Sequence, residues 1–167
     1  MGAYTYIAAD FDHDEDAVNH LHYLKERGLI TFLDAHEIQQ SYDSSLACSI
    51  KKSLKHRLDN SYKFVLIVGN HTNTVSKGGC QFCDSYNSYL KYCAKGYSVD
   101  YRSFIQFECD NARNLGLDIV VLHKNIVVDR NLCPEAVRRT GSHYAVVCRG
   151  ADGQFYWNDN AIIQAMR

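Results

Sequence analysis

Proline is almost absent from these 167 residues: it occurs once, at Pro134, which argues against linkers and disordered tails. Charge of one sign is lacking as well. Lys and Arg number 18 against 19 Asp and Glu, a formal net charge of −1, and no basic run is long enough to mark a nucleic-acid face or an anionic membrane surface. Neither nucleic acid nor membrane is therefore expected as a partner. No window approaches eighteen consecutive apolar residues, and the opening residues carry no signal-peptide-like apolar stretch, so a cytoplasmic protein is expected. The 7 cysteines are an odd count without a leader, which reads as reduced thiols, buried packing or a metal rather than a disulfide framework. A glycine-rich phosphate loop is missing too. Asp10, Asp12 and Asp14 stand where its glycines would follow the first strand and would repel a pyrophosphate, which disfavours a Rossmann dehydrogenase. A phosphate-accepting receiver domain would need an aspartate ending the third strand and a lysine after the fifth, where this chain has Gly69-Asn70-His71 and Cys148-Arg149.

What is present suits one folded domain over residues 1–167, with 46% hydrophobic and 22% charged residues. Strand-like and helix-like segments alternate. Predicted strands cover 4–9, 29–33, 64–68, 119–122 and 144–147. Predicted helices cover about 15–27, closed by Gly28, then a segment capped by Ser44 or Ser45 and running to about 58, and a last one from Asn158 or Asp159. Leu46, Ile50 and Leu54 form the buried stripe of the second helix. The uniformly apolar Phe64-Val-Leu-Ile-Val68 reads as a central parallel strand buried on both faces. The pattern is α/β: a parallel sheet of about five strands with helices on both faces. Ligands of such sheets bind beyond the carboxyl ends of the strands, here at the loops 10–14, 34–43 and 70–102.

The stretch from Ser103 to Leu122 sets one carboxylate on a short helix that runs into a buried strand. Ser103 with Gln106 reads as a capping box and Gly116 as a stop. Ile105, Cys109 and Ala112 then share one face, with Phe104, Glu108 and Asn111 along its edge. Glu108 is thus placed to border a cleft, although taken alone it also fits a solvated helix glutamate.

In the order of these elements the chain resembles a TIR-like domain of the bacterial Thoeris antiphage type, the sensor half of that two-protein system. The resemblance rests on the opening Tyr4-Thr-Tyr-Ile-Ala-Ala-Asp-Phe-Asp-His-Asp-Glu-Asp16, the triplet Phe32-Leu-Asp34 and the segment from Ile50 to Thr72, and it covers residues 1–72 and 98–123. It implies a flavodoxin-like, TIR-type three-layer sandwich. It also implies that Glu108, four residues after the aromatic Phe104, is the catalytic residue of NAD cleavage. Expulsion of neutral nicotinamide from an already cationic nitrogen needs no strong acid, so one carboxylate near the ribose carbon can stabilise the developing positive charge. NAD+ is then substrate, no cofactor is required, and the product is a cyclic or conjugated ADP-ribose messenger read by a downstream effector. A phage-derived protein trigger and homo-oligomeric, head-to-tail assembly through TIR surfaces are further implications, with Ile38 and Tyr42 as apolar groups for the contact. The residues expected around the substrate are Asp10, Phe11, Asp34, His36, Tyr42, Ser103 and Phe104; Phe11, Tyr42 and Phe104 suit the flat nicotinamide ring, or equally the core. A non-catalytic TIR interaction module and a nucleoside deoxyribosyltransferase-like enzyme remain as alternatives.

The chain departs from the family in an insert at about 71–98, longer than the usual TIR connection, which carries Cys80, Cys83 and Cys93. The first two have the spacing of a zinc knuckle. A fourth ligand from Cys109, Cys133 or His71 would complete a structural zinc site; small thiols packing a tyrosine-rich loop is the other reading.

Overall fold

The computed structural model describes residues 2–38 and 46–167. In chain order its elements are β1 (Tyr4–Ala8), α1 (Phe11–Glu26), α2 (Ala47–Asp59), β2 (Ser61–Val68), β3 (Tyr86–Asn87), β4 (Tyr92–Cys93), α3 (Phe104–Asn114), β5 (Asp118–His123), α4 (Glu135–Arg138), β6 (Ser142–Ala145), β7 (Val147–Arg149), β8 (Phe155–Trp157) and α5 (Asp159–Met166). Four strands form a parallel sheet in the order β1-β2-β5-β6. Its register aligns Ile7 with Val65 and Val65 with Val120.

The pleat divides the core between the two faces of this sheet. Tyr6, Ala8, Phe64, Leu66, Ile119 and Val121 pack with Leu54 and Leu58 of α2, Ile105, Cys109 and Ala112 of α3, and Val137 of α4. The intervening residues Ile7, Val65, Ile67, Val120 and Leu122 pack with Val18, Leu21 and Leu24 of α1 and Ile162 and Ala165 of α5. The result is three layers, helix on sheet on helix, as the alternation of the sequence predicts.

The second expected strand, 29–33, is not a strand among the described residues. Ile30 and Phe32 are buried beneath α1 while Leu29 and Leu33 are half exposed, the alternation that the sequence shows. The segment makes one parallel bridge to the sheet, Thr5 to Asp34, with the Thr5 amide donating to the Leu33 carbonyl at 2.7 Å. Period-two burial needs only an extended chain, whereas a ladder needs repeated hydrogen bonds. This segment still lies beside β1, so the five chain segments follow the order 2-1-3-4-5, that of a flavodoxin-like doubly wound sheet.

Other boundaries shift for local reasons. The loop expected at 10–14 is helical from Phe11. Asp10 caps α1 by accepting from the Asp12 amide at 3.2 Å, and Asp12 and Asp14 favour the positive end of the helix dipole. The predicted start at Glu15 falls beside a kink at Asp14, whose φ of −120° is non-helical. The expected caps Ser44 and Ser45 lie outside the described residues. The stretch predicted as one strand at 144–147 is divided: β6 joins the parallel sheet, and Val147 opens an antiparallel hairpin with β8. No helix among the described residues is long and apolar enough to cross a membrane.

Candidate active site

α3 begins as its sequence dictates. The Ser103 hydroxyl accepts from the Gln106 amide at 3.1 Å, and the Gln106 side chain accepts from the Ser103 amide at 3.0 Å. This cap fixes the phase of the helix and turns Phe107, Glu108 and Cys109 inward. Glu108 is 6% exposed. Its carboxylate accepts a 2.5 Å hydrogen bond from the hydroxyl of Tyr6, which is fully buried on β1 and faces α3. Burial pushes the Glu108 carboxyl up to about 7, against the opposing pull of the Tyr6 hydrogen bond. The Tyr6 hydroxyl is itself raised well above its ordinary value, by burial first and then by the neighbouring Glu108 charge, so it stays a donor throughout the neutral range.

Glu108 lines a cavity of about 230 Å³. Ala9, Asp10 and Phe11 lead into it from the carboxyl end of β1, where ligands of such sheets collect. Ile50 and Leu54 of α2 and Phe104 of α3 supply apolar wall; Val75 and Lys77 come from the connection between β2 and α3, and His36 from the turn after the bridging segment. Phe11 is half exposed, and its ring meets the His36 ring edge-on at 6.3 Å; His36 also lies 5.1 Å from the Tyr6 ring. The volume is under the roughly 300–1,000 Å³ of sites that enclose a drug-sized ligand, so the cavity can take part of a larger ligand rather than the whole.

Asp34 sits behind His36. Its carboxylate meets His36 Nδ1 at 3.0 Å and His22 Nε2 at 3.2 Å and accepts from the His36 amide at 2.8 Å. Burial works against the charged form of Asp34, but the His36 bonds and the two imidazoles outweigh it and hold the carboxyl below its ordinary value. His36 Nδ1 is thereby committed to Asp34, and the second nitrogen of the ring is Nε2.

Of the residues expected around the substrate, Asp10, Phe11, His36 and Phe104 line the cavity with Glu108. Asp10 is already engaged by its cap and by His13 Nδ1 at 2.6 Å. Asp34 is a supporting residue behind the wall, Ser103 is committed to its capping box, and Tyr42 lies outside the described residues. Ile38 is half-buried and packs against the core of its own chain. Tyr6 and Lys77 were not anticipated. Tyr6 had a signal, since a tyrosine at an inward position of a buried strand must find a partner for its hydroxyl.

The wall at Phe104 depends on one glycine. Gly78 has φ +103°, and a Cβ there would stand 2.6 Å from two carbons of the Phe104 ring, while the Phe104 amide donates to the Lys77 carbonyl at 2.9 Å. Gly78→Ala is expected to cost about 1–3 kcal/mol and to displace the ring from the cavity. Thermal unfolding measures the first effect, and a crystal structure of the variant the second.

The cysteines separate into different settings. All seven are free thiols. The expected fourth zinc ligands lie elsewhere: Cys109 is in the core beside Glu108, His71 stacks on His13 at 4.1 Å, and Cys133 belongs to another group. That group, His123, Cys133 and His143, is the only set of three or more converging donor atoms among the described residues, all within 4.8 Å of one another. Burial first, then the neighbouring His143, lowers His123 to about 4 and keeps it neutral.

A scan of the sequence against protein-family models and a search of curated proteins gave no match.

Proposed function

We propose that the chain is a TIR-type enzyme that cleaves NAD+ with Glu108 as its essential carboxylate and makes an ADP-ribose-derived nucleotide, cyclic or conjugated, as a cytoplasmic signal in antiphage defence. The observation that supports this most is the buried Glu108 carboxylate, bonded to Tyr6 and lining an aromatic-walled cavity at the carboxyl edge of the sheet. A group in that setting is charged only at a cost. A cationic nicotinamide riboside entering the cavity stabilises the ionised form and relieves it. As the bond between nicotinamide and ribose lengthens, positive charge moves onto the ribose carbon and ring oxygen, where a carboxylate favours the transition state over the ground state. Phe11 and Phe104 offer apolar surface to the nicotinamide ring. Lys77, on the rim and mostly exposed, offers an ammonium to the diphosphate. His36 Nε2, with Nδ1 committed to Asp34, can take the proton of the acceptor hydroxyl or water that captures the ribosyl cation. The resemblance supplies the rest of the reading: a phage-derived trigger, assembly of copies on activation and a separate effector that reads the nucleotide.

The test is to incubate the purified chain with NAD+, and separately with purine and pyrimidine nucleosides, and to follow free base and ribosyl products by mass spectrometry. Nucleotide extracts from cells carrying the chain are examined in parallel, with and without phage. Nicotinamide release with an ADP-ribose product, present in challenged cells and absent from Glu108→Gln cells, is the expected outcome. Turnover of nucleosides alone would favour the deoxyribosyltransferase-like reading. No turnover of either, in purified protein or in challenged cells, would leave an interaction module.

A further inference from the structure

The connection between β2 and α3 presents a stability problem that the candidate active site does not address. Among the described residues of the stretch 80–100, none is buried, and its strands β3 and β4 have two residues each. A hairpin of that size is marginal by itself, and a stretch without a core has little to set against the entropy of ordering its chain. The backbone nonetheless follows a series of tight turns, with the Cys83 amide donating to the Cys80 carbonyl at 3.0 Å, the Tyr86 amide to the Cys83 carbonyl at 2.9 Å and the Gly96 amide to the Cys93 carbonyl at 2.9 Å. Small modules that lack a core are held by disulfides or a metal.

The thiols are arranged for the second. Cys80, Cys83 and Cys93 line one small cavity of about 20 Å³ together with Cys48, which comes from the first turn of α2; Tyr86 and Tyr97 close it. All four thiols are free and half-buried. The Asp100 amide donates to Cys80 Sγ at 3.2 Å, the bond that commonly supports a metal-bound thiolate. Lys51, one turn along α2 from Cys48 and 5% exposed, donates to the Asp100 and Arg102 carbonyls at 3.2 and 2.7 Å, which fastens the end of the segment to the same helix and brings a positive charge to it.

We propose that Cys48, Cys80, Cys83 and Cys93 hold one zinc ion in a closed, four-thiolate structural site that fastens the insert to α2. Four cysteines with zinc–sulfur bonds of about 2.3 Å form a tetrahedron whose sulfurs stand about 3.8 Å apart. No three of these sulfurs are yet within 4.8 Å of one another, so the ion draws in side chains that already share one cavity. The converged group His123, Cys133 and His143 is the rival site, but three of its four ring nitrogens already have partners: His123 Nε2 meets His143 Nδ1 at 3.0 Å, and His143 Nε2 meets the Thr140 carbonyl at 3.2 Å. The zinc site also bears on the active-site cavity, because Cys80 directly follows the segment 77–79 that carries Lys77 and presses Gly78 against Phe104. The inference does not depend on the NAD reading.

The experiment uses the full chain, purified without chelator and without a nickel column, and measures zinc by elemental analysis. About one zinc per chain is expected, with less than a tenth of that in a Cys80→Ser/Cys83→Ser variant and an unchanged content in Cys133→Ser and Cys148→Ser. Because the double variant can fail to fold, the wild-type chain is also loaded with cobalt, whose absorption distinguishes four sulfur ligands from a mixture of nitrogen and sulfur. A tetrathiolate spectrum supports the site. Metal-free protein with reduced thiols, an intact mass reporting disulfides among these four cysteines, a mixed-ligand cobalt spectrum, or zinc lost from Cys133→Ser would each overturn it.

Discussion

Glu108→Gln is expected to lower NAD turnover by roughly a hundred- to a thousandfold while making the folded protein more resistant to heat at pH 8. Both effects come from the same charge. Glutamine keeps the shape of the side chain and can still accept the Tyr6 hydroxyl, but it carries no negative charge to set against the ribosyl cation. The stability effect follows from the position of the Glu108 carboxyl, raised from 4.5 to about 7 by burial. Below the ordinary carboxyl range both folded and unfolded chains hold the proton, and Glu108 contributes no pH dependence. Between pH 4.5 and about 7 the folded chain keeps a proton that the unfolded chain has lost, so the wild type loses stability as the pH rises. Above that window the penalty is complete, at roughly 3 kcal/mol. Glutamine escapes it but buries an amide whose hydrogen bonds are not all met, which leaves a net gain of about 1–2 kcal/mol. For a chain of this length that is a rise of several degrees in Tm. Differential scanning calorimetry of both proteins across pH 5 to 8 should show the gap opening through the window and then holding constant. A variant that loses activity and is also less stable at every pH would mean that Glu108 is a structural residue whose loss disturbs the site.

That a buried candidate carboxylate could be placed on α3 from sequence follows from how much of its setting is local. Ser103 and Gln106 fix the first turn, Gly116 follows the end, and 3.6-residue spacing then assigns each side chain to a face. Its partner is not local. Tyr6 lies 102 residues away in the chain, and the two meet because inward residues of β1 and α3 face the same side of the sheet, which is known only when the strand order is known. The sheet itself was legible where strands are buried on both faces, as in the run 64–68, because an unbroken apolar stretch of that length between polar turns has few other uses. It was less legible at 29–33, where the burial pattern of a strand occurs with one bridge in place of a ladder. The acidic run from Asp10 to Asp14 looked like a loop because its composition suits one; one carboxylate in a capping position makes it the start of a helix. The insert was legible as an unusual segment, but Cys48 was not, since nothing in the spacing of a residue 32 positions before Cys80 connects the two.

Tyr6→Phe should move the pH dependence of the reaction rather than simply weaken it. The hydroxyl donates to Glu108 Oε1 at 2.5 Å and is the contact that favours the charged carboxylate against the effect of burial. Phenylalanine fills nearly the same space and removes only that contact. Hydrogen bonds to charged groups contribute about 1.5–3 kcal/mol, which corresponds to about one to two pH units in the ionisation of the acceptor. The direction is upward, because losing a bond to the charged form leaves burial less opposed. In the wild type, kcat/KM for NAD+ is expected to rise with pH through the Glu108 ionisation at about 7, since the carboxylate is the active form and kcat/KM reports the free enzyme. In Tyr6→Phe the same rise should come at about pH 8–9, so that kcat/KM at pH 7, where the wild type is itself only half ionised, falls roughly five- to fiftyfold and recovers in alkaline buffer. Tyr4→Phe is the control, because Tyr4 packs partly buried against the same core cluster. Its profile should keep the wild-type midpoint. A purely structural role for the Tyr6 hydroxyl would lower the rate by the same factor at every pH and leave the midpoint near 7, and that result would remove Tyr6 from the control of the Glu108 charge.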